Sequence, residues 1–279
     1  MIHLPSPGKL NLFLHVISRR KDDYHNLQTV FQFVDFGDEL IFIERDDNQI
    51  IIPNFLPSID LHDNIIYKAA QILQKFSASS GIEICVKKNV PVGGGMGGGS
   101  SNAATTLLAL NKLWKLNLPL HELIEIGAKL GSDVPIFLQG QASWAEGRGD
   151  ELTPIILPEP WYVLLFPACA VETGKFFTDP QLTWTRDPLT IAGYHVGLGH
   201  NDFEPLARMY FPLIAEALDW LNAFAPARMS GTGSTVFAAF DTREEASRMV
   251  ALSPSHFRAL VTQGLNHSPL HAALASIEV

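Results

Sequence analysis

Cysteine, long apolar runs and positive charge are all scarce in this chain, and each shortage excludes something. Only two cysteines occur, Cys85 and Cys169, both inside apolar runs. They read as small buried hydrophobes rather than as a disulfide framework or a metal pair. The ten histidines form no cluster at metal-ligand spacing, so no structural metal is expected. No uncharged stretch approaches the ~18 residues that a membrane span needs. No basic-then-apolar segment opens the chain. A membrane partner is therefore not expected, and the reducing cytoplasm is the expected location. Twenty Lys plus Arg stand against 29 Asp plus Glu, a formal net charge of −9. Nucleic-acid binders usually carry a basic patch, so no nucleic-acid partner is expected. An anionic ligand would need positive groups placed locally. Monomer and homodimer both remain open.

The chain has an ordinary globular composition, 47% hydrophobic and 18% charged over 279 residues, long enough for one large or two modest cores. Alternation predicts strands over 9–18, around 29–33 and over 38–45. Helical spacing of Ile65, Ala69, Ile72 and Phe76 predicts a helix over 63–76, with Asp63 as a candidate cap. A strand over 81–91 runs into a glycine-rich stretch, and helices follow over 100–114 and 120–131. The second half changes character. A buried strand is expected over 159–168, loops over 172–202, a helix over 212–224 and a glycine turn feeding a strand over 228–241. A helix over 243–253 and a strand toward 265 close the pattern. Strands and helices mix without strict alternation, so the fold class is α+β. The expected division is an N-terminal domain over 1–152 and a C-terminal domain over 153–279.

The stretch "PVGGGMGGGSSNAATTLLALN" (91–111) has six glycines among the seven residues from Gly93 to Gly99. Glycine loses more backbone entropy on folding than any other residue, so a mere helix cap does not explain six. A Walker A loop needs lysine directly after its last glycine, whereas Gly99 is followed by Ser100 and Ser101. Gly93, Gly95 and Gly98 satisfy the dinucleotide pattern G-x-G-x-x-G, but any run this rich in glycine does. No βαβ unit with an acidic strand end about 20 residues on supports it. A generic phosphate cradle fits better, with successive N–H groups converging on an anion at the mouth of a helix.

Three further segments are ambiguous when read alone. "SGTGS" (230–234) is a tight turn or a second phosphate-facing loop. "PSPGKLNLFLHV" (5–16) places Lys9 after a turn stiffened by Pro5 and Pro7, as a surface lysine or a site lysine. Asp133 in "GAKLGSDVPIFL" (127–138) is, on spacing alone, more naturally a turn or N-cap aspartate than a reacting group.

Together, "PSPGKLNLFLHV", "PVGGGMGGGSSNAA", "LGSDVPIF" and "MSGTGSTVFAAF", in this order and at wide spacing, resemble the GHMP kinase superfamily. That superfamily includes galactokinase and the homoserine, mevalonate and phosphomevalonate kinases. The stretches "DDYHNLQTVFQFVDFGDEL", "DNII", "AEGRGDELTP" and "GLNHSPLH" resemble one branch of it. That branch phosphorylates the 2-hydroxyl of a cytidine-diphosphate-linked methylerythritol in the non-mevalonate route to isoprenoids. The resemblance covers most of the chain except about 181–200.

It implies a two-domain kinase with its site in the interdomain cleft, using ATP and Mg²⁺. Lys9 and Asp133 match the catalytic pair. The loop Pro91, Val92, Gly93, Gly94, Gly95, Met96, Gly97, Gly98, Gly99, Ser100 and Ser101 would hold the ATP phosphates, with Asn64 and Lys88 near the adenine. Asn11, Tyr24, His25, Phe31, Thr173, Phe177, Gly231 and Gly233 match substrate contacts, Tyr24 and Phe177 facing the cytosine. Three departures stand out. Gly8 replaces the family's usual alanine, Met96 its leucine, and Ser234-Thr235 an alanine-led pair. Gly8 is expected to loosen the turn that aims Lys9. A kinase for homoserine or mevalonate, a non-catalytic nucleotide binder on the same fold and a nicotinamide oxidoreductase are the rival readings.

Overall fold

Two long antiparallel strands, β1 (Ile2–Arg19) and β2 (His25–Arg45), organise the molecule. In this computed structural model the structure describes residues 1–53, 60–77, 81–185 and 187–277. The expected stiff turn at Pro5 and Pro7 is instead part of β1, and the pairing slips between Pro7 and Lys9. Gly8 sits at that irregularity, where β2 carries two more residues than β1 and the pairing re-aims the side chains that follow. The strands expected around 29–33 and over 38–45 are one strand. Gly37, which reads as a break, is instead a point of close approach, since a Cβ there would lie 2.3 Å from the Ser6 carbonyl oxygen.

The chain continues through β3 (Ile50–Ile51), a short 3₁₀ turn at Leu61–Asp63, α1 (Ile65–Gln74) and β4 (Gly81–Lys87). Asn64, not Asp63, caps α1, its side chain accepting from the Ile66 N–H at 2.8 Å. Then come α2 (Gly98–Leu113), α3 (Leu120–Leu130), α4 (Val134–Gln139), β5 (Ser143–Glu146) and β6 (Glu151–Pro154). The second half holds β7 (Trp161–Phe166), α5 (Thr173–Phe177), α6 (Glu204–Tyr210) and α7 (Pro212–Asn222). It ends with β8 (Ala227–Met229), β9 (Val236–Phe240), α8 (Arg243–Leu252), β10 (Arg258–Leu265) and α9 (Pro269–Ala275). The elements that periodicity did not signal are short: the two-residue β3, and α4, α5, β5, β6, α6 and α9. Two to seven residues are too few to display a period.

The strand order β3-β4-β2-β10-β7-β9-β8 joins both halves of the chain, with β1 and β5 also paired to β2. The junction is narrow, since β10 meets β2 only at Gly264–Val34 and Leu265–Phe33. One core packs α1, α2, α3 and α4 on β2 and β4; a second packs α6 and α7 on β7 and β9. A third, around Phe13, Val34, Trp144 and Phe166, lies between them. β1 therefore runs through apolar surroundings on both faces, and its polar side chains are forced to find internal partners.

His15 is one of them, 2% exposed. Burial, then the neighbouring His200 charge, pushes it down to about 4, with Asp202 opposing and Arg228 adding to the fall. The unfolded chain takes up this proton near the usual value of about 6.5, while the folded chain does not until near 4. Stability is therefore full above the unfolded value and declines as pH falls through this window. Urea unfolding at about pH 7 and about pH 5 checks this. His15→Gln is expected to flatten the loss, and an equal loss in wild type and variant would assign it to other groups.

Candidate active site

The site is built where β1, the glycine loop and the start of α4 converge on a cavity of about 510 Å³. The helix after the glycines begins at Gly98, two residues earlier than expected, so Gly98 and Gly99 form its first turn. Gly97 precedes them with φ +68°. A side chain there would collide with the Phe137 ring and press on Lys9 Cε. The first N–H groups of α2 have no partner within the helix, and Gly97 to Ser100 line the cavity. Helix dipole and free donors together make this mouth an anion site. Eleven of the sixteen residues of α2 are buried, which fixes the donors rigidly against the core.

Lys9 is 3% exposed. Its ammonium donates to Asn11 Oδ1 at 2.5 Å and to the Gly95 carbonyl at 3.0 Å. It lies 3.3 Å from Asp133 Oδ2 and 5.2 Å from the centre of the Phe31 ring. Asp133 occupies the N-cap position of α4, yet its side chain makes no capping hydrogen bond. Instead the carboxylate turns to Lys9 and opens into the cavity. The Asp133 side chain is therefore not the cap of α4.

The second glycine motif grips the first from behind. Ser230 Oγ donates to the Gly95 carbonyl at 2.9 Å, and the Thr235 N–H donates to the Gly94 carbonyl at 3.2 Å. Gly231 reaches the cavity wall, whereas Gly233 does not. Gly8 and Met96 are also linked. A Cβ on Gly8 would lie 2.9 Å from Met96 Cε, and the Lys9 N–H donates to the Met96 carbonyl at 3.0 Å. The longer methionine fills the room that the missing methyl leaves, so Lys9 stays aimed despite the glycine.

The remaining expected residues divide. Asn11, Phe31, Asn64, Lys88, Pro91 to Gly95, Thr173 and Phe177 line the cavity. Lys88 is held by Asp38, a buried carboxylate that also accepts from the Asn89 and Val90 N–H groups at 2.7 and 2.9 Å. Asn11 donates to Thr29 Oγ1 at 2.9 Å, and Thr173 pairs with Thr232 at 2.9 Å. The Met96 side chain is buried in the third core, and the Ser101 hydroxyl accepts from Ser6 at 2.8 Å; both point away from the cavity. Tyr24 and His25 lie just outside its wall. His25 packs against Phe177 with the rings tilted 32° and their centres 5.1 Å apart, and Arg148 covers Tyr24 at 5.1 Å. Burial, then the Arg19 charge, holds His25 below its ordinary pKa and leaves a neutral imidazole at pH 7.

Sequence reasoning did not single out Arg148 and Asp38, and it weighed Ser230 and Thr232 only as part of the "SGTGS" turn. Arg148 stood inside the quoted "AEGRGDELTP", but nothing in that string says that its turn reaches back to β2. The Leu27 N–H makes the link, donating to the Gly147 carbonyl at 2.7 Å.

This geometry, an anion cradle beside a lysine–aspartate pair, is that of a phosphoryl-transfer site. The model of the GHMP kinases N terminal domain matches residues 64–141 and that of the GHMP kinases C terminal domain residues 187–252. The chain belongs to the GHMP kinase family. Among curated relatives it is 49% identical to a 4-diphosphocytidyl-2-C-methyl-D-erythritol kinase of Nitrosococcus oceani, over 97% of each chain. It is 44% identical to the same-named enzyme of Pseudomonas paraeruginosa, over 99% of this chain and 98% of that one. A crystal structure of 4-(cytidine 5'-diphospho)-2C-methyl-D-erythritol kinase superposes with TM-score 0.82 at 29% identity, covering 94% of this chain and 99% of the other. A mevalonate kinase structure, at 12% identity and TM-score 0.68 over 96% of this chain and all of that one, shares the fold alone. Among the described residues, no helix is long and apolar enough to cross a membrane.

Proposed function

We propose that this protein transfers the γ-phosphoryl group of ATP to the 2-hydroxyl of 4-diphosphocytidyl-2-C-methyl-D-erythritol, in the non-mevalonate route to isoprenoid precursors. The observation that carries this reading is Lys9 and Asp133, 3.3 Å apart, beside the glycine loop in one cavity. Near-full-length likeness to enzymes of that name supports the substrate. In this reading residues 1–152 bind ATP and carry the catalytic pair, 153–279 form the C-terminal domain, and the reaction occurs between them.

Phosphoryl transfer asks for in-line positioning and for cancellation of charge on the transferred group. The N–H groups of Gly95 and of Gly97 to Ser100, which line the cavity, would hold the triphosphate. Asp133 would accept the proton of the attacking hydroxyl, and Lys9 would offset negative charge as the oxygen attacks. Asn11 would fix Lys9 by accepting a hydrogen bond from its ammonium. Among the described residues no group of three His, Cys, Asp or Glu could hold a metal unaided. That suits Mg²⁺ carried on the nucleotide, where it would neutralise phosphate charge. Ser100 and Asp133, beside the helix mouth, are among the cavity side chains whose oxygens would be offered to it.

Tyr24, His25 and Phe177 would select the cytidine end. Phe177→Ala is expected to raise KM for the cytidine-linked substrate about tenfold, the effect of one lost base stack. The KM for ATP should barely move, and equal damage to both would contradict the assignment. A coupled ADP-release assay over a panel of alcohols tests the function itself. Release only with the cytidine-linked alcohol is expected. Release with homoserine or mevalonate, or with none, would overturn the reading.

A further inference from the structure

The segment after α5 carries none of the motifs quoted above, yet it delivers an aromatic ring to the cytidine end of the site. Two anchors hold it. Leu182 packs into the second core, its N–H donating to the Asp179 carbonyl at 3.1 Å. Three residues on, the Thr185 N–H donates to the Val16 carbonyl of β1 at 2.9 Å, and its hydroxyl donates to Asp202 Oδ2 at 2.9 Å. Between these anchors stands Trp184, 46% exposed.

Leaving an indole half in water forfeits hydrophobic stabilisation, so its placement calls for a reason. The ring meets His25 edge-on, centres 6.0 Å apart and planes at 88°. Phe177 flanks the same imidazole at 5.1 Å. His25 thus contacts both an aromatic from α5 and an aromatic from the anchored segment.

We propose that Trp184 is a positioning residue for the nucleobase subsite, bracing His25 against Phe177 and thereby setting affinity for the cytidine-linked substrate. The inference rests on the functional reading above. It adds a residue that touches neither ATP nor the reacting atoms. Because Trp184 acts through one imidazole, its loss should be felt in one substrate only.

The test is steady-state kinetics of Trp184→Ala and Trp184→Phe with ATP and the cytidine-linked alcohol. Trp184→Ala is expected to raise KM for the alcohol about three- to tenfold, the range for an aromatic contact. Turnover and the KM for ATP should stay within about twofold, as for a site remote from both. Trp184→Phe should recover most of the loss. In the His25→Ala background, Trp184→Ala should add nothing. An unchanged KM for the alcohol, a parallel rise in the KM for ATP, or a full additional loss without His25 would each overturn the proposal. A wild-type protein that releases no ADP with this alcohol would instead overturn the functional reading, and the inference with it.

Discussion

Asp133→Asn is expected to lower turnover by about 10²- to 10⁴-fold, the range for a lost general base. The amide keeps the shape of the carboxylate and removes its ability to take a proton. Binding should survive, because in the proposed function the nucleotide would be held chiefly by main-chain donors of the loop and α2. The fold should survive as well. Asp133 makes no cap bond to α4, and Lys9 retains Asn11 Oδ1 and the Gly95 carbonyl as acceptors. Single-turnover phosphorylation with ATP titrated in parallel separates the two effects. Turnover close to wild type would remove Asp133 from its role, and a matching collapse of ATP affinity would make it a binding group instead.

Gly95→Ala is expected to abolish measurable activity by displacing the loop itself. Gly95 has φ +73°, a conformation that costs an L-residue about 1–2 kcal/mol. The graver problem is contact. A Cβ at this position would lie 2.0 Å from the Ser230 carbonyl oxygen and 3.0 Å from that of Gly233. Both are backbone atoms, so no rotamer change relieves the overlap. The Gly95 carbonyl also accepts from Lys9 and from Ser230 Oγ, at 3.0 and 2.9 Å. Pushing the residue aside therefore loosens Lys9 and parts the two glycine loops together. Gly99→Ala is the control. A Cβ there meets nothing within 4 Å, and alanine in a helical turn is favoured over glycine by about 1 kcal/mol. Thermal melts and ATP titration should show the Gly95 variant damaged in both and the Gly99 variant folded normally. Equal behaviour of the two would refute the steric argument.

Function was legible in the sequence chiefly at the glycine loop, because backbone chemistry leaves a compositional mark. Six glycines before a helix have few structural uses other than exposing N–H groups. Lys9 and Asp133 were legible only through the company they keep. Each alone has an ordinary explanation, since a lysine after prolines is usually surface and an aspartate before proline usually caps. The α+β class and the longer helices followed from periodicity. The short elements did not, and the proline-bearing start of β1 read as a turn because proline in a buried strand is uncommon. The irregular pairing at Gly8, which tolerates it, depends on β2 lying alongside.

The chain by itself determined a glycine-rich main-chain loop at a helix mouth, with the chemistry to take an anion, and the family it belongs to. Those features are local, written in glycine spacing and in the residues beside it. Tertiary structure alone decided that Asp133 turns from its helix toward Lys9, 124 positions away in the numbering. It also decided that Ser230 and Gly95 share one backbone contact, that Met96 compensates Gly8, and that Trp184 reaches His25. Each is a meeting of distant segments, set by how three cores close around β1. No local propensity encodes a distance between residues that only packing brings together.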